Sequence, residues 1–123
     1  MVLAKPGPGE TGFLTALDIQ PLKLSADLVV LSACETGKGD YQLGRGLVGL
    51  TWALTQAGSP TQIVSCWSVD DKSTADLMGA FYAGYLRDHK PKGQALCDAV
   101  RLIKKQYPDP YFWAPFIMVG DAG

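Results

Sequence analysis

A chain of 123 residues has the size of one domain or part of one, and its 47 % apolar and 19 % charged residues suffice for a packed core. The formal net charge of −1 leaves no electrostatic footprint for nucleic acid or an anionic membrane, and no apolar run approaches the roughly 20 residues that span a bilayer. Cys34, Cys66 and Cys97 form no CxxC pair and have one histidine for company, which argues against a disulfide framework and a zinc site; no metal or other cofactor is implied, and a reducing cytoplasm is the simplest setting.

Residues 1–13 hold two prolines and three glycines and read as an irregular arm; they lack the basic-then-apolar pattern of a secretory signal. Thr15 can cap a short helical turn over Ala16 to Gln20, with Asp18 in its first turn, before Pro21 redirects the chain. Leu28 to Ala33 is an apolar run of the kind found in strands covered on both faces. Glu35 to Arg45 reads as a glycine-rich loop, and Gly46 to Ala57 as a buried helix ended by Gly58. Gln62 to Trp67 is a second strand, followed by a polar turn over Ser68 to Lys72. Ser73-Thr74-Ala75-Asp76 resembles a capping box opening a helix to about Arg87, with Leu77, Phe81, Tyr85, Met78 and Tyr82 as its apolar face. Pro91 and Gly93 break the chain. A further helix carries Leu96, Val100 and Ile103 with Ala95, Ala99 and Leu102, and the spacing of Arg101, Lys104 and Lys105 suits a solvated face. Pro108 and Pro110 end it, and Phe116 to Val119 is the last strand, closed by Gly120. The order strand–helix–strand–helix–helix–strand predicts an α/β fold, three-layered, with a mainly parallel sheet.

In such sheets ligands meet the loops at the carboxyl ends of strands. Cys34 lies at one such end and Trp67 to Asp71 at another. Cys34 can be a nucleophile whose pKa is lowered by N–H groups of the following turn, or a small buried thiol that caps a strand, and residue types leave both readings open. Cys66 and Cys97 read as packing residues. His89, the lone histidine, falls in the Arg87-to-Lys90 turn between two helices, where a solvated loop residue is the default over a catalytic base. Gly37-Lys38-Gly39 fails as a P-loop, since Ser32 stands where the first glycine belongs and Gly39 where the Ser/Thr magnesium ligand belongs. Gly44-Arg45-Gly46-Leu47-Val48-Gly49 matches G-x-G-x-x-G but does not follow its strand directly, so tight packing of a glycine-rich helix start explains it better than a dinucleotide. Asp70 and Asp71 can cap the following helix, or form an acidic wall suited to a basic side chain; different members of the pair can do each.

Taken together, LVVLSACETG, GRGLVGLTWAL, IVSCWSVDDKST, LMGAFYAGYL and PYFWAPFIMVGD resemble, in that order, the CHAT domain, a caspase-like peptidase domain often joined to tetratricopeptide repeats. The similarity runs from about Gly12 to Asp121. It implies a caspase/separase-type fold and a Cys–His dyad in which Cys34 matches the nucleophile, and the turn Glu35, Thr36, Gly37 helps to bind the oxyanion. Asp70 and Asp71 match an acidic turn that in related peptidases binds a basic side chain, so the implied partner is a peptide or protein substrate cut after Arg or Lys.

The family's histidine lies in an H-G motif upstream of the cysteine. No H-G dipeptide occurs here, and Cys34 lies too near Met1 for the caspase-type spacing of about 50 residues. The chain therefore reads as the C-terminal portion of the domain, inactive by itself. The resemblance also puts the cysteine strand between the histidine strand and the last strand. Without the former, one apolar edge would lie bare, an invitation to self-association unless the N-terminal arm shields it. A non-catalytic module that completes a sheet with another chain is the competing reading, and a nucleotide-binding domain a third.

Overall fold

The computed structural model describes residues 14–32 and 43–123, residues 43–47 as backbone only. In chain order the elements are α1 (Ala16–Ile19), β1 (Val29–Leu31), α2 (Leu43–Gln56), β2 (Thr61–Ser65), α3 (Asp71–Tyr82), a π-helical turn (Ala83–Arg87) that continues it, α4 (Lys92–Gln106), a 3-10 turn (Pro110–Phe112) and β3 (Phe116–Gly120). The N-terminal arm at residues 1–13 and most of the expected glycine-rich loop lie outside the described residues. What is described shortens that loop: α2 begins at Leu43 and takes in Gly44 and Arg45.

The fold is mixed α/β, with a sheet of three strands in the order β1-β2-β3 among the described residues. β1 runs parallel to β2, with Val29 opposite Gln62 and Leu31 opposite Val64. β3 runs antiparallel to β2, with Ser65 opposite Phe116 and Thr61 opposite Gly120. The expectation of a mainly parallel sheet is therefore corrected: one strand pair is parallel and the other is not. The reason is the number of helical passes. One helix, α2, separates β1 from β2 and returns the chain to the end where it started. Two helices separate β2 from β3 and lie antiparallel to each other: the Tyr107 hydroxyl, at the end of α4, donates to Asp76 near the start of α3 at 2.9 Å. Lys92, at the start of α4, reaches Thr61 at the beginning of β2 with its Nζ at 2.8 Å. The second pass delivers the chain to the carboxyl end of β2, so β3 must run back down. The expected neighbour of the cysteine strand is corrected too: β2 lies between β1 and β3.

Period-two alternation along the strands separates two cores. Ile63 and Phe116 pack with Leu77 and Phe81 of α3 and Ala95, Leu96, Ala99 and Ile103 of α4, joined by Val30 and Met118. Val29 and Leu31 point the other way, onto Ile19, Ala53, Leu54 and Ala57 of the α1–α2 side. Thr15 caps α1 as expected, and Asp18 makes the cap reciprocal, its carboxylate accepting the Thr15 N–H at 2.8 Å.

The cap of α3 differs from the expected Ser73–Asp76 box. Asp70 is the N-cap: its Oδ2 accepts the Ser73 N–H at 3.0 Å and its carbonyl accepts the Ser73 hydroxyl at 3.0 Å. Ser73 is fully buried against that cap, and Asp76 is engaged by Tyr107, so neither can play the earlier role. Cys97 is exposed, against the expectation of packing, because Ala95, Leu96 and Ala99 alone face the core in that stretch of α4. Cys66 lies just past β2 and is half-buried. Arg101, Lys104 and Lys105 are solvated as expected, with the Lys104 ammonium 5.1 Å from the centre of the Trp113 ring. Among the described residues no helix is long and apolar enough to cross a membrane.

Two glycines make opposite demands. Gly58 ends the α2 segment at φ 105°, and a Cβ there would stand 2.6 Å from the Leu24 carbonyl oxygen. Gly79 lies mid-helix with nothing within 4 Å of where its Cβ would be. Gly58→Ala should lower stability by about 2 kcal/mol or more. Gly79→Ala should raise it by about 0.5–1 kcal/mol. Urea denaturation of the two variants checks both signs.

Candidate active site

Because β1 and β2 are parallel and in register, their carboxyl ends lie side by side. Leu31 stands opposite Val64, and the chain leaves β1 through Ser32 next to the place where it leaves β2. Cys34, Glu35, Thr36 and Gly37, the sequence's candidates for nucleophile and oxyanion turn, follow β1 and lie outside the described residues. The candidates after β2 are described, and they belong to the same edge of the sheet.

There the backbone stays tied to β3 for one more step, the Cys66 N–H donating to the Pro115 carbonyl at 2.9 Å. Trp67 and Ser68 are exposed, Val69 turns into the core at 8 % exposure, and Asp70 and Asp71 return to the surface. The two carboxylates divide the labour. Asp70 gives one oxygen to the cap of α3. Asp71 sits in the first turn with no hydrogen-bond or ion-pair partner among the described residues, so it remains available to a cation. A third acid, Asp76, is occupied by Tyr107. The hydrogen bond to Asp76, then burial and the charges of Asp76 and Asp70, push that phenol above its ordinary pKa.

Sequence reasoning missed what holds this loop. Trp67 Nε1–H donates to the Tyr111 carbonyl at 3.2 Å, and the Tyr111 hydroxyl donates to the Ser68 carbonyl at 2.8 Å. The only local signal was Asp109-Pro110, a turn-forming pair; the Asp109 carboxylate accepts the Tyr111 N–H at 2.9 Å. His89 is elsewhere. α3 and its π-helical turn carry the chain roughly 25 Å from Asp71 before it is reached. It is exposed, in the left-handed region at φ 52°. Three residues on, Lys92 touches the amino end of β2, so His89 belongs to the opposite end of the sheet. Among the described residues no three His, Cys, Asp or Glu side chains converge as metal ligands.

Comparison with known proteins gives this architecture its relatives. The family model for the CHAT domain matches residues 1–121. The chain belongs to the CHAT domain family. Tetratricopeptide repeat protein 28 of Mus musculus is 34 % identical over 109 residues, covering 87 % of this chain and 4 % of that protein. Tetratricopeptide repeat protein 28 of Homo sapiens is 31 % identical over 109 residues, with the same 87 % and 4 % shares. The CHAT chain thus spans about 4 % of the length of the curated relatives it matches. No solved structure matches it.

In this CHAT chain the acidic pair closes the S-x-W-x-V-D-D stretch, and its members are separable by stability. Asp70→Ala removes the N-cap and should cost about 1 kcal/mol. Asp71→Asn loses only a favourable charge at a helix amino end and should cost less than about 0.5 kcal/mol. Equal losses in urea denaturation would contradict this division.

Proposed function

We propose that residues 1–123 form the C-terminal portion of a caspase/separase-type CHAT cysteine endopeptidase domain, acting on peptide or protein chains after Arg or Lys. The observation that carries the reading is the uncommitted Asp71 carboxylate at the edge where β1, which leads to Cys34, ends beside β2. In this reading the Cys34 thiolate attacks the substrate's carbonyl carbon. N–H groups of the turn Glu35–Gly37 bind the oxyanion. A histidine from a segment upstream of Met1 takes the thiol proton and returns it to the leaving amine, and water then hydrolyses the thioester. The basic side chain pairs with Asp71, while Asp70 holds the helix. A thiol near its ordinary pKa is only a few per cent ionised at neutral pH, so the chain by itself should turn over no peptide. Loss of a base in comparable hydrolases costs several orders of magnitude.

The test is hydrolysis of Arg- and Lys-ending peptides by the protein extended upstream to an H-G segment. Cys34→Ala should abolish turnover. Asp71→Asn should raise KM for basic substrates about ten-fold or more with kcat little changed. Activity that survives Cys34→Ala, or no preference for basic residues, would count against the assignment.

A second reading, association through the sheet, has one observation in its favour. Among the described residues no strand pairs with the outer edge of β1, and β1 is wholly apolar. As an interaction module the chain would complete its sheet with another chain. Sedimentation from micromolar to millimolar concentration should then show species above the monomer. A monomer throughout argues against this second reading.

A further inference from the structure

The loop that joins β2 to α3 is anchored unevenly. Its inner part is held by the fold itself: Val69 is buried in the core and Asp70 caps α3. Its outer part, Trp67 and Ser68, is exposed, and the side-chain bonds that hold it come from one residue of the connection between α4 and β3. Tyr111 accepts the Trp67 indole N–H on its backbone oxygen at 3.2 Å and donates its hydroxyl to the Ser68 carbonyl at 2.8 Å. Tyr111 is itself fixed. Its N–H is bound by Asp109 at 2.9 Å, it lies in the 3-10 turn started by Pro110, and its ring meets Phe112 edge-on with centroids 5.4 Å apart. Two bonds in opposite directions therefore lock adjacent residues of the loop to a rigid post more than forty residues away in sequence.

We propose that Tyr111 is a positioning residue for substrate. By gripping Trp67 and Ser68 it fixes the outer wall of the site, so that an incoming basic side chain is confined between that wall and Asp71. Tyr111 makes no hydrogen bond to either carboxylate and acts only through the loop. The phenol–Ser68 bond is the adjustable part, because it joins two exposed residues and can be lost without opening the core. The indole bond goes to backbone, so it survives substitution of Tyr111 but loses the ring's second tether. The inference rests on the reading of Asp71 as the group that binds a basic side chain.

Tyr111→Phe keeps the ring and removes only the hydroxyl. In the ¹⁵N-labelled protein the three tryptophans give three indole signals, and Trp67→Phe identifies the relevant one. Solvent exchange of the Trp67 indole proton should be about five-fold faster in Tyr111→Phe, the scale of one lost exposed hydrogen bond. Equal rates overturn the clamp. A tripeptide amide ending in arginine should bind Tyr111→Phe several-fold more weakly than it binds the parent chain, with the thermal midpoint lowered by only a few degrees, whereas Tyr82→Phe should bind it normally. Normal binding by Tyr111→Phe overturns the positioning role while leaving Asp71's role intact. If the parent chain does not distinguish the arginine peptide from its norleucine counterpart, it is the reading of Asp71 that fails, and the positioning role falls with it; the exchange rate then decides the clamp alone.

Discussion

The central strand carries the molecule. Thr61–Ser65 is hydrogen-bonded along both edges, to β1 on one side and β3 on the other, and it is covered on both faces. A strand in that position exposes no backbone to water, so its backbone N–H and C=O groups must find partners within the protein. At its start the Thr61 hydroxyl donates to the Asp121 carbonyl at 2.6 Å while accepting from Lys92, and the Gln62 amide donates to the Ser59 carbonyl at 2.6 Å. These bonds pin the amino end of β2 to the tail after β3 and to the start of α4. The other end, where the chain leaves the sheet through Cys66 and Trp67, is held instead by Pro115 and Tyr111. The end pinned to α4 and the end that bears the candidate site are thus opposite ends of one strand.

Most of the elements were legible because their periodicities are strong and their boundaries are marked by Thr15, Gly58, Pro91 and Pro108. The direction of β3 was misread, although a count of helical passes gives it. Helical passes between strands reverse the chain each time, and two passes give an antiparallel return whatever the strand is made of. The parallel expectation rested on the order of the elements, without that count. In the structure Phe116 is buried and Ile117 is 39 % exposed, the alternation of a strand covered fully on one face only.

The site was legible in part for a different reason. Asp70 and Asp71 follow a strand and precede a helix, and that placement alone assigns a cap and a spare carboxylate. Which acid does which depends on where the first helical residue falls. Ser73 and Thr74 are good capping residues, and they drew the boundary too far along; the burial of Ser73 against Asp70 decides the register. The clamp made by Tyr111 left almost no trace in the sequence. Its partners lie more than forty residues away, and their contact depends on α4 being antiparallel to α3, which brings residues 107–112 back to the start of α3. Local patterns report such contacts only after the topology is known.

Topology also bears on how Cys34 could be activated. The chain's one imidazole sits in the turn between α3 and α4, and that turn is held to the amino end of the sheet through Lys92, whose ammonium reaches both the Thr61 hydroxyl and the Asp27 carbonyl. Under the proposed function the thiol acts beyond Leu31, at the carboxyl end of β1. Hydrogen-bond transfer of a proton needs roughly 3 Å between heavy atoms. To bring His89 that close, α4 would have to leave the core that Ala95, Leu96, Ala99 and Ile103 form with α3. Each large apolar side chain so exposed costs about 1.5–3 kcal/mol, and the sum approaches the whole stability of a small domain. Under the proposed function, the imidazole that activates this thiol is supplied by another segment at the carboxyl edge of the sheet. The antiparallel α3–α4 pair is the feature that keeps the resident histidine away from it.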